Sequence, residues 1–244
     1  MQLTTTFPIP AAPVLMNHRS RVLTMGSCFS ASMGARLSLL PLEVMAQPFG
    51  TLFHPFAITR ALSGYVSEEV YEQNGYFLHP DYHSIFTATT SDALLDDVRS
   101  VSAEVSNFIV ETDFLLLTWG TSFSYFDKHL NKSVANCHKM PADRFEKRLS
   151  TVNEIVENFC SLLSTLPSTT QVVLTVSPVR HTKDGMLENQ VSKSTLRLAA
   201  DIVSKRFENV HYFPAYEIML DELRDYRFYE ADLIHPNEQA QAYI

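Results

Sequence analysis

The chain has 244 residues, 45% of them apolar, which is enough to bury one sizeable core, so a single domain over residues 1–244 is expected. Its 27 acidic residues outweigh 19 Lys and Arg residues, and the net charge of −8 argues against nucleic acid and anionic membranes as partners. No apolar run is long enough to span a membrane, no secretory signal is visible, and three scattered cysteines indicate a reducing, cytoplasmic location.

Short apolar stretches and longer helical stretches alternate along the chain. The stretches rich in β-branched and aromatic residues predict buried strands at 22–25, 43–46, 114–118, 172–177 and 210–213. Helical periodicity predicts helices over 29–39, 56–66, 93–105, 142–166 and 190–205. This alternation predicts an α/β fold, a three-layer α/β/α sandwich with a five-stranded parallel sheet. Ligands of such folds bind at the carboxyl ends of the strands.

Two segments interrupt the alternation. Residues 71–86 hold the turn signal Asn74 and Gly75 between aromatic flanks, which predicts a small hairpin or an ordered loop over the site. Residues 122–140 are polar and aromatic, and they predict a long loop that is functional or mobile. The sequence stops at Ile244 inside a helical stretch, so either the protein continues or its last helix is very short.

Ser27 is the first candidate nucleophile. The string RVLTMGSCFSASMGARL, residues 21–37, passes from a predicted strand through Gly26 into a helix. Ser27 therefore lies at the helix amino end, where unpaired N–H groups and the helix dipole favour an oxyanion, unless it only caps the helix. Cys28 is the rival nucleophile, because a thiol there can have a lowered pKa; the other interpretation of Cys28 is a small buried hydrophobe.

An acid and a histidine near the carboxyl terminus complete a candidate triad. In YEADLIHPNEQ, residues 229–239, Asp232 and His235 are three residues apart and Pro236 follows. A turn into a helix at Pro236 lets Asp232 accept the Nδ1 proton of His235, which leaves Nε2 free to take the proton of Ser27. The alternative is a surface turn in which Asp232 caps the helix and His235 is solvated.

The two ends together resemble the SGNH, or GDSL-like, hydrolase superfamily, whose fold is a flavodoxin-like three-layer sandwich. Within it, the string GSCFS at residues 26–30 resembles the signature of the bacterial GSCFA family. Further segments are similar to the same family: PFGTLFHP from Pro48, LTWGTSFSY from Leu117, VANCHKMP from Val134, SPVRHTKDGMLENQVSKSTL from Ser177 and YEIMLDELRDYRFYEADLIHP from Tyr216. The resemblance covers nearly the whole chain and implies a hydrolase that needs no cofactor.

This resemblance also implies a set of oxyanion donors. They are the backbone N–H groups of Ser27 and Gly50, although a simple turn is the other interpretation of Gly50. The superfamily's third donor is an Asn in a Gly-x-Asn-Asp string, whereas residues 120–122 here are Gly-Thr-Ser. Thr121 or Asn136 could substitute. Because losing one donor costs about 2.7–4 kcal/mol of transition-state stabilisation, an unfilled place predicts weak activity.

Other polar side chains are candidates to line the cleft. Arg180 and His181 follow the fourth strand, at the expected edge of the sheet. Arg180 can bind a carboxylate or pair with an acid such as Asp184 or Glu188, and the pairing is the expectation. His138 is a further cleft candidate with no assigned role.

Nine histidines raise the question of a metal site. His79 and His83 flank Asp81, but Pro80 interrupts any regular helix through them. No CxxC or HExxH string accompanies them. No metal is therefore expected.

The patterns taken together predict a serine-dependent ester hydrolase. Ser27 attacks an ester carbonyl, His235 transfers the proton, and Asp232 orients His235. The resemblance implies a small O-acyl group, such as acetyl on a carbohydrate-like alcohol, by analogy of fold. Two alternatives stay open: an acyltransferase with the same triad, and a binding module of the same fold that is weakly active or inactive.

Overall fold

The computed structural model describes residues 5–9 and 11–244, and it contains both strands and helices. The strands are β1 (Arg21–Gly26), β2 (Glu43–Ala46), β3 (Tyr71–Gln73), β4 (Tyr76–Leu78), β5 (Thr87–Ala88), β6 (Phe114–Trp119), β7 (Phe123–Asp127), β8 (Lys132–Val134), β9 (Phe145–Leu149), β10 (Gln171–Val176) and β11 (Val210–Tyr212). The helices are α1 (Cys28–Leu37), α2 (Pro55–Leu62), α3 (Ser91–Ile109), α4 (Val152–Leu163), α5 (Met186–Arg206), α6 (Ala215–Glu217) and α7 (Glu238–Tyr243). A π-helical turn, Ile218–Glu222, follows α6.

The central sheet confirms the predicted fold class. Its five parallel strands lie in the order β2-β1-β6-β10-β11, and helices flank it as in a three-layer sandwich. β1, β6 and β10 are buried along almost their whole length, because both faces of the sheet are covered. This double coverage explains why the strands read as continuous apolar runs rather than as alternating patterns.

The core divides into clusters on different elements. The largest cluster includes the Trp119 ring, which meets the Phe159 ring edge-on at a centroid distance of 5.2 Å. A smaller cluster joins Phe29 of α1 to Val179 and Ala215, and Cys28 packs against it. The first residues of α1 are therefore fixed by apolar contacts to the segments that follow β10 and β11.

The predicted helix over residues 142–166 is wrong in its first half. Residues 145–149 form β9, which pairs with β7 in antiparallel register from Phe123 opposite Leu149 to Asp127 opposite Phe145. α4 begins only at Val152, where Thr151 and Glu154 form a capping box. Pairing with a distant strand decided this segment, and local periodicity does not report such pairing.

Two small antiparallel sheets replace the predicted irregular segments. Residues 71–78 form the β3–β4 hairpin, with Asn74 and Gly75 at positive φ in the turn, so the hairpin prediction is confirmed. The predicted loop over 122–140 is largely a second hairpin, because β7 pairs with β8 and with β9. This second sheet stands beside the carboxyl edge of the central sheet and forms part of the wall described below.

Candidate active site

A cavity of about 470 Å³ lies at the carboxyl ends of the central strands. It is lined by Cys28 after β1, by Phe53 and His54 after β2, by Thr121 after β6, by residues 179–184 after β10, and by Ile234 and His235. The small sheet supplies the remaining wall residues, Phe123, Ser124, Tyr125, Val134 and Ala135. The carboxyl edge predicted from the sequence is therefore the position of the cavity.

Ser27 and Cys28 point in different directions. Ser27 is fully buried, and its Oγ donates a hydrogen bond to Ser177 Oγ at 2.9 Å rather than to His235. Its side chain makes no capping bond either, although Ser27 occupies the N-cap position of α1. Cys28, the first residue of the helix, is half-buried and lines the cavity together with His235. Cys28, and not Ser27, therefore lines the cavity that His235 also lines.

The backbone N–H groups that are available at the start of α1 also belong to the residues after Ser27, and not to Ser27 itself. The N–H of Ser27 donates to Thr118 O at 3.0 Å, which extends the β1–β6 ladder and takes this group away from any oxyanion. The next two N–H groups, those of Cys28 and Phe29 in the first turn of α1, lower the pKa of the Cys28 thiol. These are helix N-terminal donors of the kind that stabilise negative charge.

The electrostatics around Cys28 act in both directions. Burial raises the pKa of the Cys28 thiol above its ordinary value, while the two backbone N–H groups and the positive charge of Lys193 lower it. The carboxylate of Asp232 raises it slightly. Because burial is the largest effect on this pKa, the thiol needs a base to become a nucleophile.

Asp232 and His235 form the acid–base pair that the sequence predicts. The Nδ1 of His235 lies 2.7 Å from Asp232 Oδ2, and both side chains are about half exposed. Asp232 Oδ1 accepts hydrogen bonds from the N–H groups of Ile234 and His235. The hydrogen bond from His235, followed by these backbone donors, lowers the pKa of Asp232 to about 2. The carboxylate is therefore ionised at neutral pH and leaves Nε2 of His235 free.

A backbone hydrogen bond closes the turn that carries Asp232 and His235. Leu233 adopts a positive φ of 59°, and the N–H of Glu230 donates to His235 O at 2.8 Å. The predicted helix start at Pro236 is wrong, because α7 begins at Glu238 and is capped by Asn237. Pro236 instead forms a β-bridge with Tyr229, which holds the two ends of the turn together.

Arg180 supports the same turn and does not pair with an acid. Its guanidinium lies 4.0 Å above the ring of Tyr229 and donates from Nη1 to Leu233 O at 3.3 Å. Its backbone N–H donates to Ile234 O. The expected partner Asp184 pairs with Lys147 instead. Arg180 thus holds the turn that carries His235.

Three of the residues predicted for the oxyanion hole or the cleft lie elsewhere. The N–H of Gly50 donates to Gln47 O at 2.8 Å, so Gly50 forms the simple turn. Asn136 Oδ1 accepts from the N–H of His138, and His138 Nε2 bonds to His79 O inside a buried cluster. Gly50, Asn136 and His138 do not line the cavity described here.

Thr121 and His181 do line the cavity. Thr121 Oγ1 accepts from the N–H of Phe123 and shares a hydrogen bond with Ser192 Oγ at 3.1 Å. His181 meets the Phe53 ring edge-on, and burial, followed by the charge of Lys193, lowers the pKa of His181 to about 4. His181 is therefore neutral at physiological pH and unsuited to binding an anion by charge.

The sequence reasoning missed the residues that hold the strand-to-helix turn. The side chain of Gln47 accepts from the N–H of Gly26 and donates to the carbonyl oxygens of Gly26 and Ser27. Gly26 has a φ of 138°, and a Cβ there would lie 2.2 Å from Thr118 O, so only glycine fits. A motif search had no reason to single out Gln47, because its partner lies 21 residues away.

A comparison with models of protein families shows to which family the chain belongs. The model of the GSCFA family matches residues 21–244. The chain belongs to the GSCFA family. A comparison with curated proteins finds no match. Membership of the family suggests a hydrolase of the GDSL-like type.

Two further properties of this GSCFA protein concern residues 5–9 and 11–244. Within these residues, no helix is both long and apolar enough to cross a membrane. No three His, Cys, Asp or Glu side chains are grouped so that they could hold a metal ion in the same described part of the chain. Asp81, for example, forms salt bridges with Arg60 and Lys132.

His54 at the cavity wall is buried and neutral. Its Nδ1 accepts the N–H of Phe56, which caps α2, and its Nε2 lies 3.1 Å from Ser150 Oγ. Since Nδ1 accepts this hydrogen bond, protonation of Nδ1 would remove the cap of α2. Burial, the largest cause, lowers the pKa of His54 from 6.5 to about 4.

The low pKa of His54 predicts that acid destabilises the GSCFA protein. Between pH 6.5 and about 4 the unfolded chain binds a proton that the folded chain does not, so stability falls as the pH decreases. This one group contributes about 3 kcal/mol over that window. We expect His54→Asn to lose less unfolding free energy than the wild type between pH 6.5 and pH 4, measured by urea denaturation. The amide oxygen of the asparagine can keep the cap of α2. Equal pH dependence in the two proteins would contradict this assignment.

Proposed function

We propose that this protein is an acyl-ester hydrolase in which Cys28 is the nucleophile, His235 the general base and Asp232 the residue that orients His235. The observation that carries the proposal is that Cys28 and His235 line one cavity, whereas Ser27 is buried with its hydroxyl bonded to Ser177. Asp232 already holds His235 in the tautomer that a base requires. The nucleophile proposed here is therefore one residue further along than the one that the sequence favours.

Acylation of Cys28 follows from this arrangement. Nε2 of His235 takes the thiol proton, and the thiolate forms an S–C bond with the ester carbonyl carbon. The resulting oxyanion collapses, the C–O bond to the alcohol breaks, and the protonated His235 gives its proton to the departing alcohol oxygen. Asp232 stabilises the charged imidazole between these two proton transfers. The product of this half-reaction is a thioester on Cys28.

Deacylation returns the enzyme to its starting state. His235 removes a proton from a water molecule, and the hydroxide attacks the thioester carbonyl. The S–C bond then breaks, a carboxylic acid leaves, and the sulfur regains its proton from His235. If an alcohol replaces the water, the same steps give acyl transfer, so the acceptor alone separates a hydrolase from a transferase.

The proposed oxyanion donors are the N–H groups of Cys28 and Phe29. Both belong to the first turn of α1, have no partner carbonyl within the helix, and lower the pKa of the Cys28 thiol. Thr121 lines the cavity after β6, and its hydroxyl, which shares a hydrogen bond with Ser192 Oγ, is the proposed side-chain donor. This set takes the place of the donors expected from Ser27, Gly50 and Asn136.

The lining of the cavity favours a small acylated alcohol as substrate. Its volume of about 470 Å³ falls within the range of small-molecule sites. The rings of Phe53, Phe123 and Tyr125 supply apolar surface, and the hydroxyls of Thr121 and Ser124 supply hydrogen-bonding groups. Such a mixture suits an O-acyl group on a carbohydrate-like alcohol, which we propose as the substrate class.

The proposal is tested by trapping the acyl-enzyme. The protein is mixed with p-nitrophenyl acetate, quenched in acid and digested, and the acetylated peptide is identified by mass spectrometry. We expect acetyl on Cys28, removed by hydroxylamine at neutral pH because thioesters react with it much faster than oxygen esters do. Acetyl on Ser27 that resists hydroxylamine would replace the proposed nucleophile. No acyl-enzyme and no turnover with a panel of short acyl esters would overturn the hydrolase.

A further inference from the structure

A lysine is buried against the carboxyl ends of two central strands. Lys193 on α5 is 1% exposed, and its Nζ donates to Gly120 O at 2.7 Å and to Ser177 O at 2.8 Å. In the part of the chain that the structure describes, both hydrogen bonds of this ammonium are to neutral carbonyl oxygens and neither is to a carboxylate. Burying an ammonium without an anion is costly, so such a group calls for a functional explanation.

The position of Lys193 links it to the reacting end of the sheet. Gly120 directly follows β6 and Ser177 directly follows β10, so one ammonium joins the carboxyl ends of two neighbouring strands. Ser177 Oγ accepts a hydrogen bond from the hydroxyl of Ser27, the residue before the proposed nucleophile. A chain of contacts therefore runs from α5 through the strand ends to the first turn of α1.

We infer that Lys193 is a positioning residue that stabilises the thiolate of Cys28 by charge and fixes the turn that carries it. The inference rests on the proposed function, because it gives the nucleophile an electrostatic partner. In this arrangement the anion that balances the buried ammonium is created during catalysis: first the thiolate, then the oxyanion at the start of α1. The hydrogen bonds to Gly120 and Ser177 hold the ammonium in place before the charge develops.

The other charged and titratable groups near the pair do not replace Lys193. Asp232 and His235 face Cys28 from the turn before α7, and Asp232 raises the pKa of the thiol. His181, which follows β10, is neutral because of its burial. The ring of Tyr216 in α6 lies 5.9 Å from Nζ of Lys193 and carries no charge at neutral pH. Lys193 is thus the positive charge that acts on Cys28 from the core side.

Burial and the thiolate act on Lys193 in opposite directions. Burial lowers the pKa of Lys193 to about 7, and a negative charge on Cys28 raises it. By reciprocity, the charged form of Lys193 makes the Cys28 thiolate easier to form. Because each charged form stabilises the other, a neutral side chain at position 193 removes a group that favours the thiolate, and we expect the ionisation of Cys28 to move to higher pH.

The first test measures thiolate formation directly. The rate at which iodoacetamide alkylates Cys28 is followed from pH 5 to 11, and the modified peptide is quantified by mass spectrometry so that Cys137 and Cys160 do not interfere. We expect Lys193→Met to raise the midpoint of the profile by at least one pH unit, and Lys193→Arg to keep the midpoint near that of the wild type. Lys205→Gln, which removes an exposed charge at the far end of α5, is the matched control and should leave the midpoint unchanged.

This readout separates the inference from a purely structural role. If Lys193 only fixes the fold, Lys193→Met lowers the melting temperature without moving the alkylation midpoint, and the inference fails. The result is also independent of the proposed hydrolysis, because alkylation needs no substrate. A shifted midpoint in a protein that hydrolyses no ester would support the lysine–thiolate pair while rejecting the ester as substrate.

A second test needs no substitution and therefore no refolded variant. Cys28 of the wild type is modified either with iodoacetate, which adds a carboxylate, or with iodoacetamide, which adds a neutral amide of nearly the same size. The titration of Lys193 is then followed by the ¹³Cε resonance in lysine-labelled protein. We expect the midpoint of Lys193 to be at least one pH unit higher in the carboxymethylated protein. Equal midpoints would overturn the inference.

Discussion

Cys28→Ala is expected to lower kcat/KM for short acyl esters by at least about a thousandfold, whereas Ser27→Ala retains activity within about tenfold of the wild type. The difference follows from orientation, because Cys28 faces the cavity and Ser27 faces Ser177 in the interior. Steady-state hydrolysis of p-nitrophenyl acetate, with the acyl-enzyme followed by mass spectrometry, measures both variants under the same conditions.

Stability measurements keep this comparison interpretable. Ser27→Ala removes one of the two donors to Ser177 Oγ, the other being the N–H of Val179, so we expect a loss of about 0.5–1.5 kcal/mol in the free energy of unfolding. Cys28→Ala removes a half-buried side chain at the edge of a small cluster and should cost less. Cys28→Ser is the matched variant that keeps the size of the side chain and offers a weaker nucleophile. An inactive Ser27→Ala beside an active Cys28→Ala would restore the serine mechanism.

Substitutions of Asp232 and His235 are expected to have the second large effect on kcat/KM. His235→Gln removes the base, and we expect a fall in kcat/KM of at least about a thousandfold. Asp232→Asn keeps the size of the side chain but removes the acceptor for the Nδ1 proton, so His235 loses its fixed tautomer. A comparable substitution in a serine protease lowers kcat by about ten-thousandfold, and the expected loss here is about a hundredfold or more.

The exposure of Asp232 sets the control for this prediction. Since its side chain is about half exposed, the hydrogen bond to His235 contributes to orientation more than to stability, and Asp232→Asn should unfold at nearly the wild-type midpoint of a urea curve. Asp221→Asn removes an exposed acid of the nearby π-helical turn and should leave kcat/KM unchanged. Full activity of Asp232→Asn would show that the pair is an ordinary surface turn.

The inner strands of the central sheet, β1, β6 and β10, were readable from the sequence because they are buried on both faces. Their apolar runs mark their positions whatever lies around them, and the predicted strands agree with β1, β2, β6, β10 and β11. The spacing of Asp232 and His235 was equally informative, because their hydrogen bond spans only three residues and depends on a local turn. Local chemistry and double burial are properties that a sequence carries by itself.

The direction of each side chain at the strand-to-helix turn was decided only in three dimensions. Ser27 and Cys28 are adjacent and both suit a helix amino end, so their roles depend on which one faces the cavity. That choice is made by partners far along the chain: Thr118 O accepts the N–H of Ser27, and Ser177 accepts its hydroxyl 150 residues away. A pattern of neighbouring residues contains no information about such partners.

The strand conformation of β9 and the burial of Lys193 both depend on contacts between distant segments of the chain. Residues 145–149 were predicted as helix because the pairing of β9 with β7 is invisible to periodicity. Lys193 lies inside the predicted helix 190–205, and helical periodicity does not mark its burial against Gly120 and Ser177. The sequence by itself determined the sheet, its carboxyl edge and the hydrogen-bonded Asp232 and His235. The tertiary structure decided which of Ser27 and Cys28 lines the cavity at that edge and where the Lys193 ammonium is buried, because those depend on contacts between segments that are distant in the chain.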